Sequence, residues 1–229
     1  MSKHQFFIAG TDTDVGKTLI ATAILHAANQ QGLSTLALKP VAAGCEQTGQ
    51  GLRNSDALLL QQTMSIALPY EQVNPVALQA AIAPHIAAEQ EGKRLSLARL
   101  VGFCRGALMQ PADFALIEGA GGWRVPLNAR ETMAGLAKEL NTPVILVVGM
   151  KLGCINHALL TAEAIAHDGV PLAGWVANQL DAEMPCYQEN INTLKSLLRA
   201  PCLGEVPRLA EPRADLASSY LNIDLVIKR

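Results

Sequence analysis

Gly10-Thr-Asp-Thr-Asp-Val-Gly-Lys-Thr18 is the stretch that decides the fold, because it joins an apolar β-rich run, Gln5–Ala9, to a helical run, Lys17–Gln31. Gly16 permits close backbone approach, so successive N–H groups and the helix N-terminus can surround a phosphate. Lys17 then neutralises the outer phosphates as a point charge, and Thr18 offers a hydroxyl to a magnesium ion. Five residues, not four, separate Gly10 from Gly16, so the strict G-x4-G-K-[ST] pattern would want glycine where Thr11 stands. A capped helix start in a fold that binds no nucleotide is the bland alternative. Placement of Gly-Lys-Thr where a strand feeds a helix favours phosphate.

Outward from this turn, further strands are expected at Thr35–Lys39, Phe114–Glu118, Val144–Val148, Leu172–Asn178 and Cys202–Val206. Several are unbroken apolar runs, the pattern of strands covered on both faces. Helical stretches lie between them near Ser55–Thr63, Leu95–Gln110, Thr132–Leu140, Asn156–His167 and Tyr187–Arg199. Gly32 and Gly169 stand where left-handed C-caps are wanted, and Asn54-Ser55-Asp56 offers capping side chains. This alternation predicts a single α/β domain over 1–229: one doubly wound, mostly parallel sheet with helices on both faces, P-loop NTPase-like, binding ligands at the carboxyl ends of its strands. The loop from Pro40 to Asn54 is long, polar and glycine-bearing, which marks it as functional rather than as a linker.

Composition narrows the function. Lys and Arg number 18 against 20 Asp and Glu, with no basic block, which argues against a nucleic-acid or membrane-surface partner. With 4% aromatic residues there is little to stack on bases. Cys45, Cys104, Cys154, Cys186 and Cys202 show no C-x-x-C spacing, so neither a disulfide framework nor a zinc site is indicated, and a reducing cytoplasm is expected. The apolar run Val144–Val148 is too short to span a bilayer, and the opening MSKHQFFIAG has no signal-peptide core.

Phosphoryl chemistry needs a cation with hard oxygen ligands. Glu118 follows the apolar run Phe114-Ala-Leu-Ile117 in the manner of a Walker-B acid, and the glycines after it let the chain pass close to a ligand. Asp56 opens a helix beyond the long loop; an ordinary N-terminal helix acid is its alternative reading. Lys39 closes the second strand, where it either faces a cleft or snorkels from an edge. Two lysines converging on one cleft suit a substrate that becomes anionic during reaction.

Here the residues match a family. The phosphate loop, extra residue included, resembles that of dethiobiotin synthetases. So do Lys39-Pro-Val-Ala-Ala-Gly44, Asn54-Ser-Asp-Ala57, Ala83-Pro-His85, Glu118-Gly-Ala-Gly-Gly-Trp123 with Val125-Pro-Leu127, Lys151-Leu-Gly-Cys-Ile-Asn-His157, and Leu203-Gly-Glu-Val-Pro207. They run in family order across nearly the whole chain. The resemblance implies a homodimer that closes 7,8-diaminononanoate, CO₂ and Mg²⁺·ATP into dethiobiotin, ADP and phosphate. The course implied runs through an N-carbamate and its anhydride with phosphate. Lys17, Lys39 and Thr13 are the implied catalytic residues, and Thr18, Asp56 and Glu118 the implied Mg²⁺ ligands. Implied ATP contacts are Asp14 to Leu19 (Val15, Gly16, Lys17 and Thr18 between them), Asp56, Glu118, Gly119, Ala120, Gly121, Asn178, Gln179, Pro207, Arg208 and Leu209. Asn178 is the implied adenine reader. The substrate would meet Thr13, Lys39, Ala43 and Gly121, with Leu152, Gly153, Cys154, Ile155 and Asn156 receiving its tail carboxylate across the dimer interface.

Three positions depart from the family pattern: Ala43 lacks a hydroxyl found in many relatives, Arg208 replaces an apolar or aromatic neighbour of the base, and Asp181–Asn190 matches poorly. Two rival functions share the fold. A partitioning-type ATPase switch carries a lysine five residues before the P-loop lysine, where this chain has Asp12. A cobyrinate-type amidating enzyme carries a glutamine-hydrolysing domain, for which 229 residues leave little room.

Overall fold

The computed structural model describes residues 4–227; the first residues of the MSKHQFFIAG stretch lie outside them. In chain order the elements are β1 (His4–Gly10), α1 (Lys17–Gln30), β2 (Thr35–Leu38), β3 (Val41–Ala42), β4 (Glu46–Thr48), β5 (Gly51–Arg53), α2 (Ser55–Thr63), α3 (Tyr70–Val73), β6 (Val76–Ala77) and α4 (Pro84–Gln90). There follow α5 (Leu97–Ala107), β7 (Phe114–Gly122), α6 (Ala134–Glu139), β8 (Val144–Met150), α7 (Cys154–His167), β9 (Leu172–Gln179), α8 (Tyr187–Leu197), β10 (Cys202–Val206), α9 (Ala214–Ser218) and α10 (Asp224–Ile227).

Six strands form one sheet in the order β10-β9-β8-β1-β7-β2, and every pairing in it is parallel. All seven residues of β8 are buried, as an unbroken Val/Ile/Leu run requires when helices cover both faces. Because the strands are parallel, their carboxyl ends share one rim. The chain crosses from β7 to β8 over β1, so the loops after β1 and β7 part there and leave a crevice at the switch point.

The local rules hold at several ends. Gly32 and Gly169 take φ of 79° and 74°, the left-handed caps expected of them. The Asn54 side chain accepts the Ala57 N–H and caps α2.

Two expectations need correction. The strand expected to stop at Glu118 continues to Gly122, because after a register shift Gly122 still pairs with β1, opposite Gly10. The helix expected from Asn156 begins at Cys154, since Gly153 with φ of 93° turns the chain into it two residues sooner. The long loop after Lys39 is also more ordered than its composition suggests. It holds β3, which pairs with β6, and the β4–β5 hairpin.

Candidate active site

The turn after β1 is shaped by its backbone. Gly16 has φ of 84°, a conformation L-residues avoid, and a Cβ placed there would lie 2.3 Å from Asn178 Nδ2. Asn178 in turn donates from Nδ2 to Val15 O at 2.8 Å, so the end of β9 braces the turn. Lys17 opens α1, and its ammonium donates to Asp12 O at 3.1 Å, folding back over the loop.

Above the turn lies a cleft of about 710 Å³. Thr13, Asp14, Gly16, Lys17, Thr18, Lys39, Ala43, Asp56, Glu118, Ala120 and Gly121 all line it. Gly121, with φ of 62°, keeps its wall low, since a Cβ there would meet Val125 at 2.8 Å. Ala42, Ala81, Ile82, Ala83, Pro84 and Val125 give the same cleft an apolar side.

Its charges form one cluster. Lys39 Nζ lies 2.5 Å from Glu118 Oε1 and 3.2 Å from Asp56 Oδ2. It also donates to Gly119 O at 3.4 Å. Thr18 Oγ1 donates to Glu118 Oε1 at 2.8 Å. Burial works against the charge on Lys39, but the Glu118 and Asp56 carboxylates outweigh it and hold its pKa above the ordinary lysine value. Burial wins at Lys17, and the nearby Lys39 charge adds to it, so its pKa is lowered. Lys39 is 5% exposed and doubly ion-paired, which excludes the snorkelling reading.

The donor set fits a hard divalent cation. Glu118 Oε2 is buried with no hydrogen-bond partner, and such an oxygen calls for a ligand. Asp56 keeps 41% of its side chain exposed, towards the same cleft. No cluster of three or more His, Cys, Asp or Glu suited to a metal exists among the described residues. A cation here therefore needs further oxygens from phosphate and water, the usual arrangement for magnesium with a nucleotide.

Other expected site residues lie apart from the cleft. Leu19 is half-buried in the first turn of α1. Gln179 reaches Asp181 O at 3.1 Å, and Arg208, an exposed residue between half-buried Pro207 and Leu209, donates to Leu180 O. The polar group at Arg208 thus ties the loop after β10 to the end of β9. Leu152 is 94% exposed on the rim beyond β8, next to Gly153 and Asn156, also exposed. Cys154 is buried, and burial raises its thiol pKa; its N–H is spent on Lys151 O. Its side chain is therefore core, and only Ile155 and Asn156 present themselves beside it. Sequence reasoning missed Lys151 and its 3.3 Å pair with Asp12 at the edge of the phosphate turn, although the Lys151–His157 motif contained the residue.

A family model described as an AAA domain matches residues 4–214. The chain is 66% identical to the ATP-dependent dethiobiotin synthetase BioD of Cellvibrio japonicus over 223 residues, covering 97% of each chain. It is 56% identical to the protein of that name from Marinobacter nauticus over the full length of both. The chain belongs to the dethiobiotin synthetase family. Pseudomonas aeruginosa supplies another dethiobiotin synthetase at 58% identity, over 95% of this chain and 96% of that one.

Two solved structures show the fold alone. The signal recognition particle receptor FtsY of Elizabethkingia anophelis aligns with a TM-score of 0.55 at 13% identity, over all of this chain and 65% of that one. A ParA family ATPase of Chlorobium tepidum aligns with a TM-score of 0.56 at 12% identity, over 95% and 91%.

Proposed function

We propose that the chain is an ATP-dependent ring-closing ligase that converts 7,8-diaminononanoate and CO₂ to dethiobiotin, releasing ADP and phosphate. The observation that carries this is the single cleft in which Lys17, Thr18, Lys39, Asp56 and Glu118 converge above the phosphate turn. The high identity to dethiobiotin synthetases supports the choice of substrate.

Triphosphate binds along the Gly16–Thr18 turn, its charge met by backbone N–H groups, the start of α1 and Lys17. Thr18, Asp56 and Glu118 would hold Mg²⁺, which would supply positive charge to the phosphate oxygens. One substrate amine takes up CO₂ and loses a proton to give a carbamate anion. Lys17 and Lys39 hold that anion, with Thr13 at the cleft wall. A carbamate oxygen attacks the γ-phosphorus in line and ADP leaves. The second amine then attacks the carbamoyl carbon, phosphate leaves, and the cyclic urea closes. The apolar side of the cleft excludes water, which protects the labile carbamate and its anhydride.

Asn178 spends its Nδ2 on Val15, so its carbonyl oxygen is the group left to accept the adenine amine. Pro207 and Leu209 flank the base, with Arg208 drawn aside. Residues 152–156 lie off the cleft of their own chain. We assign them to the partner subunit's site in a homodimer, where exposed Leu152 and the N–H groups of Ile155 and Asn156 receive the substrate's tail carboxylate. None of the described helices is long and apolar enough to cross a membrane, and the five cysteines are free thiols, which supports a cytoplasmic location.

Protein incubated with Mg²⁺·ATP, bicarbonate and diaminononanoate should yield the cyclic urea by mass spectrometry, one phosphate for each ring closed. Phosphate release without that product would overturn the assignment in favour of a switch or another ligase.

A further inference from the structure

Behind the Lys39–Asp56 pair runs a buried chain of hydrogen bonds that touches no reacting group. Asn74, 3% exposed, donates from Nδ2 to the main-chain oxygen of Lys39 at 2.6 Å and to Val76 O at 3.2 Å. Its Oδ1 accepts the Tyr70 hydroxyl at 3.1 Å. That hydroxyl oxygen accepts the Asn54 N–H at 2.7 Å, and Asn54 Oδ1 caps α2 through Ala57 at 3.1 Å. The Lys39 N–H meanwhile donates to Val73 O at 2.8 Å. The Arg53 guanidinium lies 4.1 Å from the centre of the Tyr70 ring and holds it down. With the Lys39–Asp56 ion pair the series closes into a ring.

One side of that ring must open in use. If Asp56 turns to Mg²⁺ and Lys39 to the transferred phosphoryl group, their ion pair no longer fixes their separation. The covalent path between them includes the exposed β4 strand, which gives it little stiffness. The uncharged side of the ring is untouched by that exchange, and every polar atom named in it is paired, which rigidifies a buried network. We infer that Tyr70 and Asn74 are positioning residues: they lock the main chain of Lys39 to the start of α2, so that Lys39 and Asp56 stay in register after their ion pair opens. This rests on the roles proposed above for those two residues.

The test compares Tyr70→Phe and Asn74→Leu with Leu100→Ala, a cavity-forming control in α5, which packs against α3. Four quantities are read: thermal midpoint, ADP affinity as a function of Mg²⁺ concentration, kcat, and KM for the diamine. Positioning predicts that Tyr70→Phe raises the Mg²⁺ needed for half-maximal ADP affinity several-fold. It predicts that Asn74→Leu lowers kcat by roughly ten- to a hundredfold, with KM for the diamine within about twofold of wild type in both. Leu100→Ala should lose as much thermal stability but keep wild-type kcat and Mg²⁺ demand. Wild-type kcat and Mg²⁺ demand in both relay variants would overturn the inference, and so would equal losses in Leu100→Ala. Because Mg²⁺·ADP binding is read without ring closure, a wild-type protein that binds it yet forms no cyclic urea would defeat the proposed reaction and leave the positioning result legible.

Discussion

Lys39 balances Glu118, whose side chain is fully buried, with the same ammonium group that the proposed reaction gives to a substrate anion. Removing one partner of such a buried pair costs about 3–5 kcal/mol, so Lys39→Ala should fold but melt earlier. Its turnover should fall by at least about a hundredfold, the scale of losing a charge-stabilising donor. Wild-type turnover in that variant would deny Lys39 a place in the chemistry. Glu118→Gln keeps the shape of the side chain and removes the negative charge that draws a cation. The Mg²⁺ titration of activity should shift severalfold or more to higher concentration, and an unchanged titration would remove Glu118 from the metal site.

The two lysines also differ in their pH behaviour. Lys17 is lowered in the fold by burial and by Lys39, so the unfolded chain holds its proton more tightly. Between its folded value and the ordinary 10.5, it makes stability rise with pH. Phosphate binding runs the other way, because it needs the charged form. ADP affinity should therefore fall on the alkaline side with a midpoint below 10.5, and that limb should vanish in Lys17→Gln. Lys39 is raised, so its stabilising contribution is complete below 10.5 and is lost only as pH climbs through its higher folded value.

Elements set where these residues meet. Gly16 shows how tightly: the left-handed turn leaves no room for a methyl group against Asn178. Gly16→Ala should abolish measurable ADP binding by calorimetry, since the strained turn and the displaced β9 end both spoil the phosphate cradle. The strands and major helices were legible in sequence because long apolar runs and 3.6-residue periodicity report burial directly. Glu118 and Thr18 stood out in the sequence too, one directly after the apolar run Phe114–Ile117 and the other in the first turn of α1. What sequence could not express was contact between distant segments. Nothing local says that Asn74 answers the Lys39 carbonyl, or that Lys151 pairs with Asp12. Nor did composition reveal the β4–β5 hairpin, whose short polar strands carry no alternation to read.

At the scale of the whole molecule, the 152–156 corner lies outside the cleft. If the corner serves a second subunit, a Lys39→Ala chain and a Leu152→Asp chain fail for complementary reasons. Mixed under conditions of free subunit exchange, they should recover roughly a quarter of the wild-type rate per site, because half the dimers carry one intact site of two. No recovery, with mixed dimers demonstrated, would mean that each chain completes its own site.

The parallel sheet leaves the protein with a silent end. Chemistry gathers where the strands finish, so the turns where they start are free for other uses. Met109 is 85% exposed at that opposite edge, between α5 and the start of β7. A dye, an affinity handle or an attachment to a solid support placed there would sit a full strand length from the reacting atoms, and catalyst recycling could proceed with the cleft facing outward.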